Sequence, residues 1–223
     1  MKPEIRFSRR QRCWIVVAAV VLIILAWPVE NWLECRDRQV HGGELPDAIY
    51  LVAGSKDQPR RVEALVDFYA GKTGVSAGTN TYPVILVGND RLKCRWCPED
   101  QLNLTRSEWS VRAIKEKLSP GIPSLEIVPG RFGGTDGEME ALSVYLDKHR
   151  DLNRLVITTS PFHVRRTLAR LDKYISRRVE VKAVVARSKW TDRAPWTVLG
   201  ELFKMGRDSL GLSRVPLLSR RSS

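Results

Sequence analysis

The chain has 223 residues, enough for one domain of ordinary size and an accessory segment, and 43% of them are hydrophobic, so a folded core is expected and wholesale disorder is not. Its formal net charge of +12 favours an anionic partner, such as phospholipid head groups, phosphorylated or polymeric envelope material, or nucleic acid.

The first predicted element is a single-pass membrane anchor at residues 13–33. Residues 13–29 read CWIVVAAVVLIILAWPV without a charged residue, and a transmembrane helix needs about 20 mostly apolar residues. Residues 1–12 are strongly basic, whereas acidic residues outnumber basic ones between residues 30 and 47. The positive-inside rule therefore predicts a cytoplasmic N-terminus and a main domain on the other side of the membrane.

Three alternatives fit this segment less well. A cleaved signal peptide would have a shorter apolar core and a small-residue cleavage site, and AWPVENW after Leu25 offers no such site. A lipoprotein signal would place small residues before its cysteine, but Leu33 and Glu34 precede Cys35. A buried core helix would not be expected to carry a basic flank at the start of the chain.

The rest of the chain alternates short apolar runs with helical patterns, which predicts an α/β domain over residues 45–212. Because the apolar runs are continuous, we expect strands buried on both faces, in a doubly wound, mostly parallel, five-stranded Rossmann-like sheet. The predicted strands are 48–53, 83–87, 124–128, 154–159 and 179–185, and the predicted helices are 60–70, 107–118, 136–149, 161–175 and one within 195–211. The remaining segments are a juxtamembrane linker, a surface loop and a basic tail, at 34–44, 72–82 and 213–223.

Polar residues follow the predicted strands directly. In an open parallel sheet, ligands bind beyond the carboxyl ends of the strands, where helix N-termini attract anions. Ser107 and Ser160 are each predicted to cap the helix that they precede, with Pro161 in the first turn of the second of these helices. The polar groups after the strands include Gly54-Ser55, Gly88-Asn89-Asp90, Gly133-Gly134-Thr135 and the stretch from Ser160 to Arg166.

Two arginines near the start of the helix at 161–175 are candidates for anion binding. Cations at a helix N-terminus oppose the helix dipole, at a cost of about 0.3–1 kcal/mol each. A bound phosphate or carboxylate would offset this cost, because arginine forks match such groups. The alternative is that the two arginines pair with nearby acids and simply solvate the helix. The arginines are Arg165 and Arg166, and the acids are Asp136, Glu138 and Asp172.

The cysteines of the CRWC stretch, Cys94 and Cys97, are predicted to staple a loop. A lone C-x-x-C lacks the second ligand pair of a zinc site, so no metal site is predicted. It also follows the second strand, whereas a thioredoxin-like motif would begin a helix after the first. A local disulfide is the favoured interpretation, with Cys35 as an alternative partner for either cysteine.

Six sequence blocks, in order, resemble the SanA/YdcF/ElyC group of bacterial proteins, a domain-of-unknown-function family. The blocks are LVAGSKDQPRRVEALVDFYAG, LVGND, SEW, GTDGEMEALSVYL, TSPFHVRR and WTVLGELFK, and they span about residues 48–212. The resemblance implies a Rossmann-like domain behind one N-terminal helix in the inner membrane, with the domain in the periplasm. It also implies a part in bacterial cell-envelope or peptidoglycan biogenesis, without supplying a reaction.

The resemblance also nominates site residues. They are Gly54, Arg61, Gly88, Glu108, Thr135, Glu138, Ser160, His163, Arg165, Arg166, Glu201 and Lys204. His163 is the candidate general acid or base, with Glu108 or Glu138 as its partner, and a hydrogen-bonded structural histidine is the alternative. Arg61, Arg165 and Arg166 are expected to hold an anion. Ser55 and Asn89 join the glycines, Thr135 and Ser160 as expected ligand-binding residues.

The function expected from these features is binding or processing of a phosphate-bearing or lipid-linked precursor. Gly-x-Ser-x-Gly, Gly-x-Gly-x-x-Gly and Walker-type sequences do not occur, so esterase, dinucleotide and ATP chemistry have no motif support and no cofactor is assigned. A non-catalytic assembly or sensing factor is the alternative, and a nucleotide or S-adenosylmethionine binder is suggested only by the fold. The predicted anchor has membrane lipid as its partner. Because the chain is expected to be anchored in a membrane, nucleic acid is the least favoured anionic partner.

Overall fold

A computed structural model describes residues 38–40, 45–54, 57–73, 82–97, 101–118, 124–130, 134–187, 200 and 202–206. The predicted anchor at 13–33 and the predicted tail at 213–223 lie outside these residues, as does most of the predicted loop at 72–82. Among the described residues, no helix combines the length and apolar character required to cross a membrane. The described residues between 38 and 187 belong to one compact unit, and residues 202–206, which are helical, belong to another.

Five parallel strands form the central sheet, and a two-stranded antiparallel hairpin accompanies it. The strands are β1 (Ala48–Leu51), β2 (Val84–Val87), β3 (Lys93–Cys97), β4 (Leu102–Thr105), β5 (Leu125–Ile127), β6 (Arg154–Thr159) and β7 (Glu180–Val185). The sheet order is β5-β2-β1-β6-β7, and every neighbouring pair is parallel. This is the doubly wound order, in which the direction of winding reverses between β1 and β6. The prediction of a five-stranded parallel sheet is confirmed.

Helices cover both faces of this sheet. They are α1 (Gln58–Thr73), α2 (Arg106–Leu118), α3 (Thr135–Lys148) and α4 (Pro161–Tyr174). Because successive side chains of a strand point to opposite faces, neighbouring residues of β1 enter different cores. Ile49 packs with residues of α1 and α2, whereas Tyr50 packs with residues of α3 and α4. The carboxyl ends of the strands are therefore framed by the first turns of helices on either face.

The CRWC stretch belongs to a hairpin within residues 89–105 and is not the predicted loop. Within them, β3 and β4 pair as an antiparallel hairpin between β2 and α2. Three residues of an extended strand advance about 10 Å, and a disulfide bridges Cα atoms only up to about 7 Å apart. The prediction of a local disulfide between Cys94 and Cys97 is therefore wrong. The buried Cys97 instead accepts a hydrogen bond at Sγ from Arg112 Nη1, at 2.7 Å.

The start of α2 also differs from the predicted Ser107 cap. Thr105 precedes the helix, its Oγ1 accepts a hydrogen bond from the backbone N–H of Glu108, and the Glu108 carboxylate accepts one from the Thr105 N–H. This reciprocal pair is a capping box. Ser107 lies inside the helix and is buried, with its hydroxyl 2.8 Å from the carbonyl oxygen of Gly88. It attaches the first turn of α2 to the end of β2.

Candidate functional site

A cleft of about 560 Å³ opens beyond the carboxyl ends of β1 and β2. The residues after β1 form its floor, the segment between β2 and the hairpin forms one wall, and the start of α3 forms another. Four predicted ligand or catalytic residues lie in it, namely Gly54, Asn89, Thr135 and Glu138. The other lining residues are Ala53, Asp90, Arg91, Leu92, Arg106 and Gly134.

Glu138 is the buried carboxylate of this cleft, with only 3% of its surface exposed. Its Oε1 accepts two hydrogen bonds, from the hydroxyl of Tyr50 at 2.9 Å and from the backbone N–H of Ala53 at 2.6 Å. Both donors bind the same oxygen, so Oε2 is the atom left to meet the cleft. A Cβ atom at Gly88 would lie 2.5 Å from Oε1, which explains why β2 is followed by glycine.

Burial, with a smaller contribution from the charge of Asp90, raises the pKa of Glu138 to about 7. The Ala53 N–H, the Tyr50 hydroxyl and the Arg61 guanidinium act in the opposite direction but do not cancel the effect of burial on this pKa. When Glu138 is protonated, its proton belongs on Oε2, because Oε1 already accepts two hydrogen bonds. Glu138 can therefore give or take a proton at Oε2 near neutral pH.

The N-terminus of α3 opens on the same cleft. Its N-cap residue is Gly134, with φ of 132°, and no side chain caps the first turn. Gly134 and Thr135 both line the cleft, so backbone N–H groups and the positive end of the helix dipole face it. Asp136 of the first turn is held by Arg170 of α4, with 2.9 Å between Oδ1 and Nη1. This end of α3 can bind an anionic group.

The wall formed by the segment between β2 and the hairpin carries an ion pair and an amide. Asp90 Oδ2 accepts a hydrogen bond from Arg106 Nη1 at 3.0 Å, and Asp90 Oδ1 accepts one from the Leu92 N–H at 3.0 Å. Asn89 donates from Nδ2 to the carbonyl oxygen of Gly130 at 2.8 Å, which turns its Oδ1 the other way. This wall therefore offers hydrogen-bond acceptors beside a neutralised carboxylate.

Arg61 holds the floor of the cleft from the other face of the sheet. Its Nη1 donates to the carbonyl oxygens of Val52 and Ala53, at 3.1 and 2.9 Å. Its Nε and Nη2 donate to Asp57 Oδ2, and Nη2 also donates to Ser160 Oγ at 2.9 Å. These bonds use all five guanidinium donors. Arg61 thus braces residues 52–53 opposite Glu138, and it has no N–H left for the anion that the sequence led us to expect.

Gly54 is required by this brace. A Cβ atom there would lie 2.6 Å from Arg61 Cζ and 2.8 Å from Gln58 Oε1. Such distances are below any normal carbon contact, so only glycine allows Arg61 to lie against the chain at this point. The predicted ligand residue Ser55 lies outside the described residues.

The start of α4 carries a second polar cluster. Ser160 is the N-cap residue and Pro161 follows it, as predicted, but the Ser160 side chain does not cap the helix. Burial raises the pKa of Asp57, but the Arg61 guanidinium, a hydrogen bond with Ser160 and the charge of His163 together hold that pKa below its ordinary value. The charges of Asp57 and His163 therefore act on each other.

His163 has its tautomer set by a neighbour. Arg166 Nη2 lies 3.0 Å from His163 Nδ1. Because a guanidinium can only donate, Nδ1 must accept, and a neutral ring then carries its proton on Nε2. Of the acids considered as partners for these arginines, Asp136 pairs with Arg170 and Asp172 pairs with Arg38.

The remaining predicted residues are dispersed. Glu108 is exposed and belongs to the capping box of α2, and it is not among the residues that line the cleft. Arg165 lies beside Arg166 in the first turns of α4. Glu201 falls outside the described residues, and Lys204 lies in the helical segment of the other unit.

Sequence reasoning missed three important side chains of this region. Asp57 had a usable signal, because its i,i+4 spacing to Arg61 at a helix start predicts an ion pair. Tyr50 had none, since an aromatic residue in an apolar run is indistinguishable from core. Arg106 follows a hairpin that was itself missed, so its approach to Asp90 could not be anticipated.

Within the described part of the chain, no three histidine, cysteine or acidic side chains are grouped so that they could hold a metal ion. No family model, no curated protein and no solved structure matches this chain.

Proposed function

We propose that this chain is a membrane-anchored, extracytoplasmic domain that binds or processes a phosphate-bearing or lipid-linked precursor in bacterial cell-envelope or peptidoglycan biogenesis. The ligand would bind in the cleft beyond β1 and β2, at the carboxyl edge of the sheet. The observation that carries the chemical part of this proposal is Glu138, a buried carboxyl with a pKa of about 7 and one oxygen turned to the cleft.

The cleft suits an anion and a proton transfer at adjoining points. The first-turn N–H groups of α3, beside Gly134 and Thr135, would bind phosphate oxygens, and the exposed Arg91 would add a positive charge at the rim. Glu138 belongs to the same helical turn, so its Oε2 proton would lie next to the bound phosphate. In this arrangement Glu138 would protonate a leaving oxygen, or remove a proton from an attacking hydroxyl.

The braced floor supports catalysis by fixing this geometry. Residues 52–53 are held from one face by Arg61 and from the other by Glu138. Catalytic groups work best when their surroundings hold them in place before the ligand arrives. Arg61 would therefore be a positioning residue. Arg165 and Arg166, at the start of α4, are the second candidate location for the anion.

The alternative function is a non-catalytic assembly or sensing factor. The hydrogen bond from the Ala53 N–H to Glu138 Oε1 favours this alternative, because it gives the carboxylate a structural role in holding the chain at Ala53. A nucleotide or S-adenosylmethionine binder has only the doubly wound sheet in its favour. The envelope setting rests on the resemblance of the sequence blocks and on the predicted anchor.

The first experiment is a ligand screen on the purified full-length chain. Melting temperature would be measured with inorganic phosphate, nucleotides, sugar phosphates and polyprenyl phosphates. A ligand at 100 times its Kd stabilises a protein by about 2.7 kcal/mol, which shifts Tm by several degrees. We expect a phosphate-bearing ligand to do so, and Arg91→Ala to weaken it more than Arg150→Ala, a substitution of another exposed arginine.

Products formed from any bound ligand would then be measured for wild type, Glu138→Gln and Glu63→Gln, the last an exposed control on α1. Loss of general acid or base catalysis lowers turnover about 10²- to 10⁴-fold. We expect that loss in Glu138→Gln alone, with binding retained, and a wild-type pH profile with a limb near pH 7. Full turnover in Glu138→Gln would end the catalytic assignment. Absence of any stabilising ligand would favour the assembly factor, and a shift abolished only by Arg165→Ala with Arg166→Ala would move the anion to α4.

A further inference from the structure

We propose that the wall formed by Asn89, Asp90 and Arg106 is a subsite for a pair of adjacent hydroxyl groups, so that the ligand is a phosphorylated sugar with a vicinal diol. This inference rests on the proposed function, because the diol would belong to the same molecule as the phosphate bound by α3. The anion site would bind the phosphate of the ligand, and the diol subsite would bind its sugar.

This wall presents hydrogen-bond acceptors with open positions. An ionised carboxylate has about four lone-pair positions. Asp90 uses one on each oxygen, for the Leu92 N–H and for Arg106, and each oxygen keeps one position. Asn89 adds an acceptor at Oδ1, because its Nδ2 is committed to Gly130. Both side chains line the cleft, so three acceptor atoms stand at one wall.

These acceptors exclude a ligand that has no hydrogen-bond donors. Carboxylate and amide oxygens only accept hydrogen bonds here, and the ionised phosphate of a monoester has no donor to offer them. A phosphate group alone would therefore leave this wall without donors. Polar groups that are removed from water without a partner cost about 1–3 kcal/mol each. The Asp90 side chain is only 16% exposed, so a ligand that covers it must bring hydrogen-bond donors of its own.

Hydroxyl donors fit this wall better than an ammonium group does. Arg106 lies 3.0 Å from Asp90 and neutralises its charge, so this wall offers a cationic ligand little net attraction. Two neutral O–H groups on neighbouring carbons match the two oxygens of one carboxylate, each of which has one position open. The remaining N–H groups of Arg106 could donate to the same hydroxyl oxygens.

The size of the cleft agrees with this assignment. Its volume of about 560 Å³ falls within the range of small-molecule sites, which is about 300–1,000 Å³. The acceptor wall and the start of α3 both line it, together with Ala53 and Gly54. One sugar ring with one phosphate could therefore reach both.

The test compares ligands that differ in a single hydroxyl. Affinities of the full-length chain would be measured by calorimetry for ribose 5-phosphate against 2-deoxyribose 5-phosphate, and for AMP against 2′-deoxy-AMP. We expect the deoxy member of at least one pair to bind ~10-fold or more weakly, because it leaves an acceptor on Asp90 unpaired. The first pair reports a free sugar phosphate and the second a nucleotide, so the pair that responds identifies the source of the diol.

The same ratio would be measured in Asp90→Asn and in Asp67→Asn, an exposed acid of α1 that undergoes the same chemical change. Asp90→Asn should bring the ratio close to 1, and Asp67→Asn should leave it unchanged. Asp90 also raises the pKa of Glu138, but both members of a ligand pair experience that change equally. If Asp90→Asn does not fold, Asn89→Ala should reduce the ratio in part, and the wild-type comparison stands without any variant.

The outcomes separate this inference from the proposed function. Equal binding of both members of both pairs, with phosphate binding intact, would overturn the diol subsite and leave the anion site standing. Failure of inorganic phosphate, of polyprenyl phosphate and of all four esters to bind would overturn both. A preference for the diol that survives Asp90→Asn and Asn89→Ala would also overturn the assignment, since the hydroxyls would then be recognised elsewhere.

Discussion

Replacing Glu138 by glutamine should remove a pH-dependent loss of stability. The folded chain holds the Glu138 proton up to a pKa of about 7, whereas the ordinary pKa of a glutamate is 4.5. Between these values the folded state binds a proton that the unfolded state has released, so stability falls as pH rises. One pKa unit corresponds to about 1.4 kcal/mol, and the whole interval to roughly 3 kcal/mol.

Glutamine is the matched neutral substitute for the protonated side chain. Its Oε1 can still accept the hydrogen bonds from Tyr50 and Ala53, and its Nε2 takes the place of the protonated Oε2. At pH 4.5 the two proteins should therefore unfold with similar free energies. At pH 8 Glu138→Gln should be the more stable by roughly 3 kcal/mol, because only wild type has to ionise a buried carboxyl.

The assay is thermal unfolding of the full-length chain at half-unit steps from pH 4.5 to 8. For a chain of this size, 1 kcal/mol shifts Tm by roughly 2–4 °C, so the gap between the two proteins should grow by about 6–12 °C. Glu63→Gln, which changes an exposed acid of α1, should follow wild type at every pH. A gap between Glu138→Gln and wild type that is the same at pH 4.5 and pH 8 would refute the reasoning, because Glu138 would then titrate normally.

Two further predictions test the brace and the cap. Gly54→Ala should destabilise the chain by about 1–3 kcal/mol, since its Cβ would meet Arg61 at 2.6 Å, whereas Gly71→Ala, with no atom within 4 Å, should stabilise it by up to about 1 kcal/mol. Equal Tm values for these two variants would contradict the close approach of Arg61. Thr105→Ala should lower Tm by removing about 1 kcal/mol of capping at α2 while leaving ligand affinity unchanged, and a large change in Kd would show that the cap also serves the cleft.

The secondary structure of the sheet and its helices was largely readable from local patterns. Continuous apolar runs predicted all five parallel strands, and the predicted and observed bounds of 154–159 agree. The first strand is instructive, because it was predicted to reach residue 53 and ends at Leu51. Residues 52–53 leave the strand because Arg61 binds their carbonyl oxygens and Glu138 binds the Ala53 N–H. The apolar composition of a strand does not predict these contacts.

The hairpin was missed for a different reason. KCRWC and LNLT are short, and although LNLT and the first four residues of KCRWC alternate between polar and apolar side chains, neither contains the continuous apolar run of the parallel strands. Their strand character comes from pairing with each other. The CRWC spacing was consequently interpreted as a stapled loop, although the extended backbone holds its cysteines too far apart for a disulfide.

The sequence by itself determined the doubly wound class of the domain, the order of its elements and the clustering of polar residues after strands. These properties follow from hydrophobic periodicity and from glycine, proline and capping residues, which act within a few positions along the chain. Only the tertiary structure decided which of those polar residues share a site. Glu138 meets Tyr50 and Ala53 across more than 80 residues, and the resulting burial sets its pKa near 7. Hydrogen-bond partners and desolvation depend on distances in space. The resemblance of the sequence blocks could therefore nominate Glu138 and Arg61 but could not assign one to the cleft and the other to its support.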